Sequence, residues 1–142
     1  MKRLVYLAGR YSRREELCQY REQLFHLHRW TCTSRWLDGS HALDTNGASI
    51  QASDSERERF ALEDWNDLRR ADVCISFTEA PRSTNSRGGR HVEFGAALGM
   101  NKQCVVIGPR ENVFHHLPGV HWYPDWTMFT VHWFGHEKPG ER

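Results

Sequence analysis

Residues 72–107 read DVCISFTEAPRSTNSRGGRHVEFGAALGMNKQCVVI. Asp72 to Phe77 is an apolar run without alternation, the pattern of a strand covered on both faces. Gln103 to Ile107 repeats that pattern, and Gly108-Pro109 stops it. Between them His91 to Met100 has helical spacing, and a glycine-bearing loop, Thr78 to Arg90, leads into it. Strand, helix and strand in that order predict a right-handed crossover, so the two strands are parallel members of one sheet.

The flanks extend the same alternation. Leu4 to Ala8 is a short buried strand stopped by Gly9. Ser12 with Glu15 predicts a capped helix, along which Leu17, Tyr20, Leu24 and Leu27 recur at helical spacing. Trp30 to Trp36 is a second strand ended by Asp38-Gly39, and Ser40 to Ser53 is a polar, turn-rich surface loop or lid. Ser53 with Glu56 is a second capping box; the helix after it runs to about Arg70 with Ala61, Trp65 and Leu68 inward. Val120 to Tyr123 supplies a fifth strand, and the tail from Trp126 stays apolar as far as Gly135. The expectation is a single α/β domain over residues 1–142, a doubly wound, Rossmann-like parallel sheet of about five strands with helices on both faces.

Composition narrows the function. The 142 residues carry 19 basic and 18 acidic side chains, a net charge of +1, which argues against non-specific binding to nucleic acid. No apolar run approaches the roughly 20 residues that span a bilayer, and MKRLVYLAGRYSRREEL breaks its apolar stretch early. Membrane and secreted readings fall away, and a cytoplasmic protein is expected. Cys18, Cys32, Cys74 and Cys104 form no C-x-x-C and read as reduced core residues. Among the nine His, His115-His116 and the pair His132/His136 have no converging carboxylate or Cys, and Gly135 interrupts the second pair. Neither a metal nor a cofactor is expected.

In such sheets ligands sit outside the carboxyl ends of the strands. Gly9-Arg10-Tyr11-Ser12-Arg13 opens a helix there and makes a candidate phosphate cradle, with Arg10 and Arg13 beside the helix amides. It is neither a P-loop nor a dinucleotide fingerprint. Glu93 stands in the first turn of its helix and shares a face with Ala96, Ala97 and Met100, the face expected to be buried. A carboxylate there is costly unless it is used, and the helix N-terminus helps keep it ionised. Such a group suits nucleophilic attack on a sugar carbon; alternatively it is a dipole-favouring residue paired with Arg90. Gly88 and Gly89 let backbone amides approach a ligand, and Gly95, Ala96, Ala97 and Gly99 let the helix lie close to the sheet. Asp64, beside the inward positions of the preceding helix, is a second candidate acid, with Glu63 and Asp67 competing for the role.

The strand ending Tyr6-Leu7-Ala8-Gly9, an Asp eight residues before Asp72, and the glycine-rich loop entering Val92-Glu93-Phe94-Gly95-Ala96-Ala97-Leu98 together resemble the nucleoside 2-deoxyribosyltransferase superfamily, over about residues 3–123. The resemblance implies that Glu93 is the nucleophile forming a glycosyl-enzyme at C1′. It also implies that Tyr6 positions Glu93 and that Asp64 assists the leaving base. It further implies a homodimer or larger homo-oligomer, in which the loop from Gly108 to Leu117, with Asn112 and His115, reaches a neighbour's site.

One departure matters. Transferases of this superfamily carry an Asp about six residues before the nucleophile, for the sugar 5′-hydroxyl; here Ser86 and Arg87 occupy that region. A guanidinium there favours a 5′-phosphate, as in the superfamily's monophosphate N-glycosidases, and Gly-Gly-Arg-His-x-Glu-Phe-Gly resembles the cytidylate type most. The expected activity is hydrolysis of a nucleoside 5′-monophosphate to free base and sugar 5-phosphate. Arg13, Ser86 and Arg87 would hold the phosphate, Arg10 would contribute less, and Gly88 and Gly89 would add amides. The alternatives are a deoxyribosyltransferase acting on free nucleosides and a non-catalytic nucleotide-binding module.

Overall fold

The computed structural model describes residues 2–39, 53–84 and 88–135. Its centre is a five-stranded sheet in the order β2-β1-β3-β4-β5, with every neighbouring pair parallel. The strands are β1 (Arg3–Ala8), β2 (Trp30–Cys32), β3 (Val73–Phe77), β4 (Gln103–Ile107) and β5 (His121–Tyr123). The helices are α1 (Arg14–His28), α2 (Asp54–Arg70), α3 (Gly89–Gly99) and α4 (Trp126–Phe134). The doubly wound α/β expectation therefore holds.

The helices form two layers. Tyr20 of α1 stacks between Trp126 of α4 and Phe77 of β3, at centroid separations of 4.1 and 5.6 Å, which puts α1 and α4 on one face. α2 and α3 pack together on the other. All five residues of β3 are buried, as its unbroken apolar run requires. Tyr6 pairs in register with Cys74, and Cys74 with Cys104, so these three form a row across the sheet. The four cysteines are free thiols. Among the described residues, no helix is long and apolar enough to cross a membrane.

Several local expectations are corrected. α1 begins at Arg14 after a 3-10 turn, Tyr11–Arg13, and no side chain caps it, so the Ser12–Glu15 box does not form. Its inner face ends on His28, stacked on Phe134 at 3.5 Å, while Leu27 is exposed. β2 stops at Cys32 rather than Trp36. The Thr33 N–H donates to Val5 O, and the Ser34 hydroxyl then accepts the Leu7 N–H at 2.8 Å in place of a further ladder bond. A 3-10 turn, Arg35–Asp38, follows and buries Trp36 and Leu37.

The Ser53–Glu56 box does form: Ser53 Oγ accepts the Glu56 N–H, and Glu56 Oε1 accepts the Ser53 N–H. The inner face of α2, however, is Phe60, Asp67 and Leu68, with Ala61 exposed and Trp65 45% exposed. α3 presents Arg90, Phe94 and Ala97 to the core, whereas Gly95 and Gly99 face open space and do not mediate its approach to the sheet. The expected surface loop over 40–52 lies outside the described residues.

Candidate active site

The apolar register of β1 carries Tyr6 into the layer between the sheet and α3. Its ring is fully buried, and its hydroxyl donates to Oε2 of Glu93. α3 begins at Gly89 rather than His91, so Glu93 is its fifth residue and lies past the first turn, which holds no acid, contrary to the first-turn expectation. Glu93 is part-buried, and burial pushes its pKa up to about 8. Its partner is thus Tyr6. Arg90, the alternative partner weighed above, instead pairs with Glu111 at 2.7 Å.

The three candidate acids of α2 divide sharply. Asp67 is 1% exposed and committed: its carboxylate accepts the Arg35 backbone N–H at 2.9 Å and the Arg35 Nε at 2.9 Å. Glu63 accepts from Arg59, one turn back on the same helix. Asp64 is part-buried, and its pKa rises to about 7 through burial first and then the carboxylates of Asp67 and Glu63, against an opposing pull from Arg35. A carboxyl group half-protonated at neutral pH can give a proton to a leaving group, so among these three Asp64 has the chemistry of a general acid. Helical spacing puts it beside the buried Asp67 and Leu68, not beside an inward Ala61 and Trp65.

The loop after β1 lies against the loop after β3. Gly9 is tight: a Cβ there would stand 3.2 Å from Leu17 Cδ2 and 3.6 Å from Phe77 Cβ. Arg13 forms bonds of 2.9 and 2.8 Å to the two Glu16 oxygens and one of 3.1 Å to Glu79, and it also donates to Thr78 O. The hydrogen bonding that Arg13 donates to the Glu16 carboxylate is the main influence holding the Arg13 pKa above its ordinary value. Arg10 Nε lies 3.8 Å from the same Glu79 carboxylate. The candidate phosphate arginines are therefore charge-balanced by Glu16 and Glu79, two acids the sequence reading passed over. Glu79 stands two residues after β3, at the carboxyl end of a strand, where ligands of such sheets bind, and that place marks it in the sequence.

Gly88 precedes α3 with φ of +86°, a conformation that strains other residues, and Gly89 has open space where a side chain would stand. Both leave room for a ligand against the helix amides. Ser86 and Arg87 lie outside the described residues. Past β4, Asn112 Oδ1 accepts the Phe114 N–H and caps the 3-10 turn Val113–His116. His115 is 1% exposed, its Nδ1 accepts the Glu111 N–H, and Phe94 packs edge-on against its ring. A cavity of about 330 Å³ opens between the strand-end loops on the α1/α4 side, with Arg13, Glu16, Glu79 and Trp126 in its wall. Glu93 and Asp64 are absent from that wall, and their helices cover the opposite face of the sheet.

No protein-family model matches the sequence, and no curated protein matches it. Solved structures do. A 2-deoxyribosyltransferase of Bacillus psychrosaccharolyticus superposes with a TM-score of 0.64, over 87% of this chain and 88% of that one, at 17% identity. A CMP N-glycosidase of Clostridium botulinum superposes with a TM-score of 0.57, over 94% of this chain and 99% of that one, at 16% identity. These likenesses establish a shared fold along nearly the whole chain, the nucleoside deoxyribosyltransferase fold that the sequence resemblance implied.

Proposed function

We propose that this chain cleaves the N-glycosidic bond of a nucleoside 5′-monophosphate, releasing the base and a sugar 5-phosphate. The observation that carries this reading is the Tyr6–Glu93 contact, a part-buried carboxylate held by a phenol on the strand beside it. The carboxylate of Glu93 attacks C1′ as the C1′–N bond breaks, and its electrons leave with the base, which takes a proton from Asp64. Water then attacks C1′, the C1′–O bond to Glu93 breaks and its carboxylate is released, and Asp64, now ionised, accepts the proton of the water. Tyr6 orients the carboxylate, and its hydrogen bond favours the ionised form that burial disfavours.

The fold shared with a CMP N-glycosidase and the residues Ser86 and Arg87 support the monophosphate and make cytosine the first base to test. The expected cytoplasmic homodimer or larger homo-oligomer belongs to the same reading. A second reading, base exchange on free deoxynucleosides, is favoured by Glu16 and Glu79, which already neutralise Arg10 and Arg13. It is also in keeping with the fold shared with a 2-deoxyribosyltransferase. Incubating the protein with paired nucleosides and monophosphates, with and without a second base, separates the two. Free base from monophosphates alone supports the first, and a new nucleoside supports the second. Absence of both leaves a binding module.

A further inference from the structure

Glu111, four residues past β4, holds three elements at once. Its two carboxylate oxygens accept from Arg90 Nη2 at 2.7 and 2.9 Å, and Oε2 also accepts the Glu79 backbone N–H at 3.0 Å. Oε1 lies 3.6 Å from His91 Nε2. The Glu111 backbone N–H donates to His115 Nδ1, which fixes the loop that carries it. The side chains of Arg90 and Glu111 are 4% and 11% exposed. Burial raises the Glu111 pKa, but the Glu79 amide and the Arg90 guanidinium outweigh that and leave it below its ordinary value.

A buried ion pair is a poor device for stability alone, since apolar side chains of similar volume often do as well. This pair joins functional segments. Arg90 and His91 form the first turn of α3, with Arg90 three residues before Glu93 and on the same side of the helix. Glu79 belongs to the loop that Arg13 and Arg10 grip from the other wall of the crevice.

We propose that Glu111 is a positioning residue, which sets the depth of Glu93 against Tyr6 by fixing the first turn of α3 to the loops after β3 and β4. Its effect on turnover rests on the reaction proposed above; its effect on Glu93 does not.

The test uses protein labelled with ¹³C at the glutamate carboxyl. The Glu93 signal is the one lost in Glu93→Gln, and Tyr6→Phe shows where it moves when the phenol contact is absent. Glu111→Gln is expected to move the Glu93 signal toward the Tyr6→Phe position. It is also expected to lower kcat on a nucleoside monophosphate by about 10- to 100-fold, since a misplacement of roughly 1 Å can cost about 10²-fold. Glu111→Asp keeps the charge that Arg90 needs and decides the matter if Glu111→Gln does not fold; its signal should move in the same direction by less. A folded Glu111→Gln protein, or failing that a folded Glu111→Asp protein, with Glu93 at its wild-type position overturns the proposal. A displaced Glu93 signal in a protein that cleaves no nucleotide or nucleoside overturns the proposed reaction and upholds the coupling.

Discussion

Tyr6 and Glu93 meet across the boundary between β1 and α3, the phenol donating to Oε2 of the carboxylate. Burial pushes Glu93 toward its neutral form, with a pKa of about 8, while the hydrogen bond favours the charged one. Tyr6→Phe removes only the second influence. A hydrogen bond to a charged group contributes about 1.5–3 kcal/mol, so kcat should fall about 10- to 100-fold. Because the Glu93 pKa lies above that of Asp64, raising it further should lower the plateau of the kcat/KM profile and move its descending limb to higher pH. An unchanged profile would leave Tyr6 as packing only.

If the proposed reaction holds, Glu93→Ala and Glu93→Gln should abolish turnover while a nucleoside monophosphate still binds, because the proposed nucleophile goes and the proposed phosphate contacts stay. Calorimetric titration of either variant, beside an assay for free base, checks both halves. Full activity in either ends the mechanism.

The two acids predict a bell-shaped dependence of kcat/KM on pH. In the proposed reaction Glu93, with a pKa of about 8, must be ionised, and Asp64, with a pKa of about 7, must be protonated. The productive form is therefore a minority at every pH, and its population peaks between those two values. Asp64→Asn should lower the rate by about 10²–10⁴-fold, less than Glu93→Ala, and erase the descending limb. Retention of that limb in the Asn variant would assign it to another group.

Stability should carry the opposite signature. Glu93 has a folded-state pKa raised from an ordinary 4.5 to about 8, so the folded protein binds the proton more tightly than the unfolded chain does. Stability is then lost as pH rises from about 4.5 to about 8, and Glu93→Gln escapes that loss. Urea denaturation should show the Gln variant gaining on wild type across this interval and holding its advantage above it, by at most about 5 kcal/mol. A constant difference at pH 5 and pH 9 would mean that the carboxyl is not buried in solution.

What the sequence made legible follows the range of the interactions. β3, β4 and α3 were readable because unbroken apolar runs and helical spacing are local signals. β2 was read too long because the Ser34 hydroxyl takes over from the backbone ladder, which no propensity reports. The inner face of α2 was misjudged because Asp67 finds its counter-charge in Arg35, 32 residues away. The pairing of Tyr6 with Glu93 came from resemblance, since 87 residues separate them. Glu79 and Glu111 were missed for the same reason: Arg13 and Arg90, which give them meaning, lie 66 and 21 residues away.

The choice between monophosphate and nucleoside turns on which arginine is free to meet a phosphate. Arg13 already holds Glu16 and Glu79, so a phosphate reaching it must displace a carboxylate or share the guanidinium with it. By the sequence resemblance alone, Arg87 falls where transferases of that superfamily carry an acid for the 5′-hydroxyl, and Gly88 and Gly89 follow it. If Arg87 holds the phosphate, wild-type protein should prefer a monophosphate to its parent nucleoside by a wide margin, set by charge-assisted bonds of roughly 1.5–3 kcal/mol each. Arg87→Ala should then lower kcat/KM for the monophosphate and leave the weak nucleoside activity nearly untouched. Arg13→Ala, by unpairing Glu79 beside the crevice, should impair both substrates together. Measuring kcat/KM for cytidine and CMP in all three proteins decides it: equal losses on both substrates in Arg87→Ala, with wild type indifferent to the phosphate, would move base exchange on free nucleosides into first place.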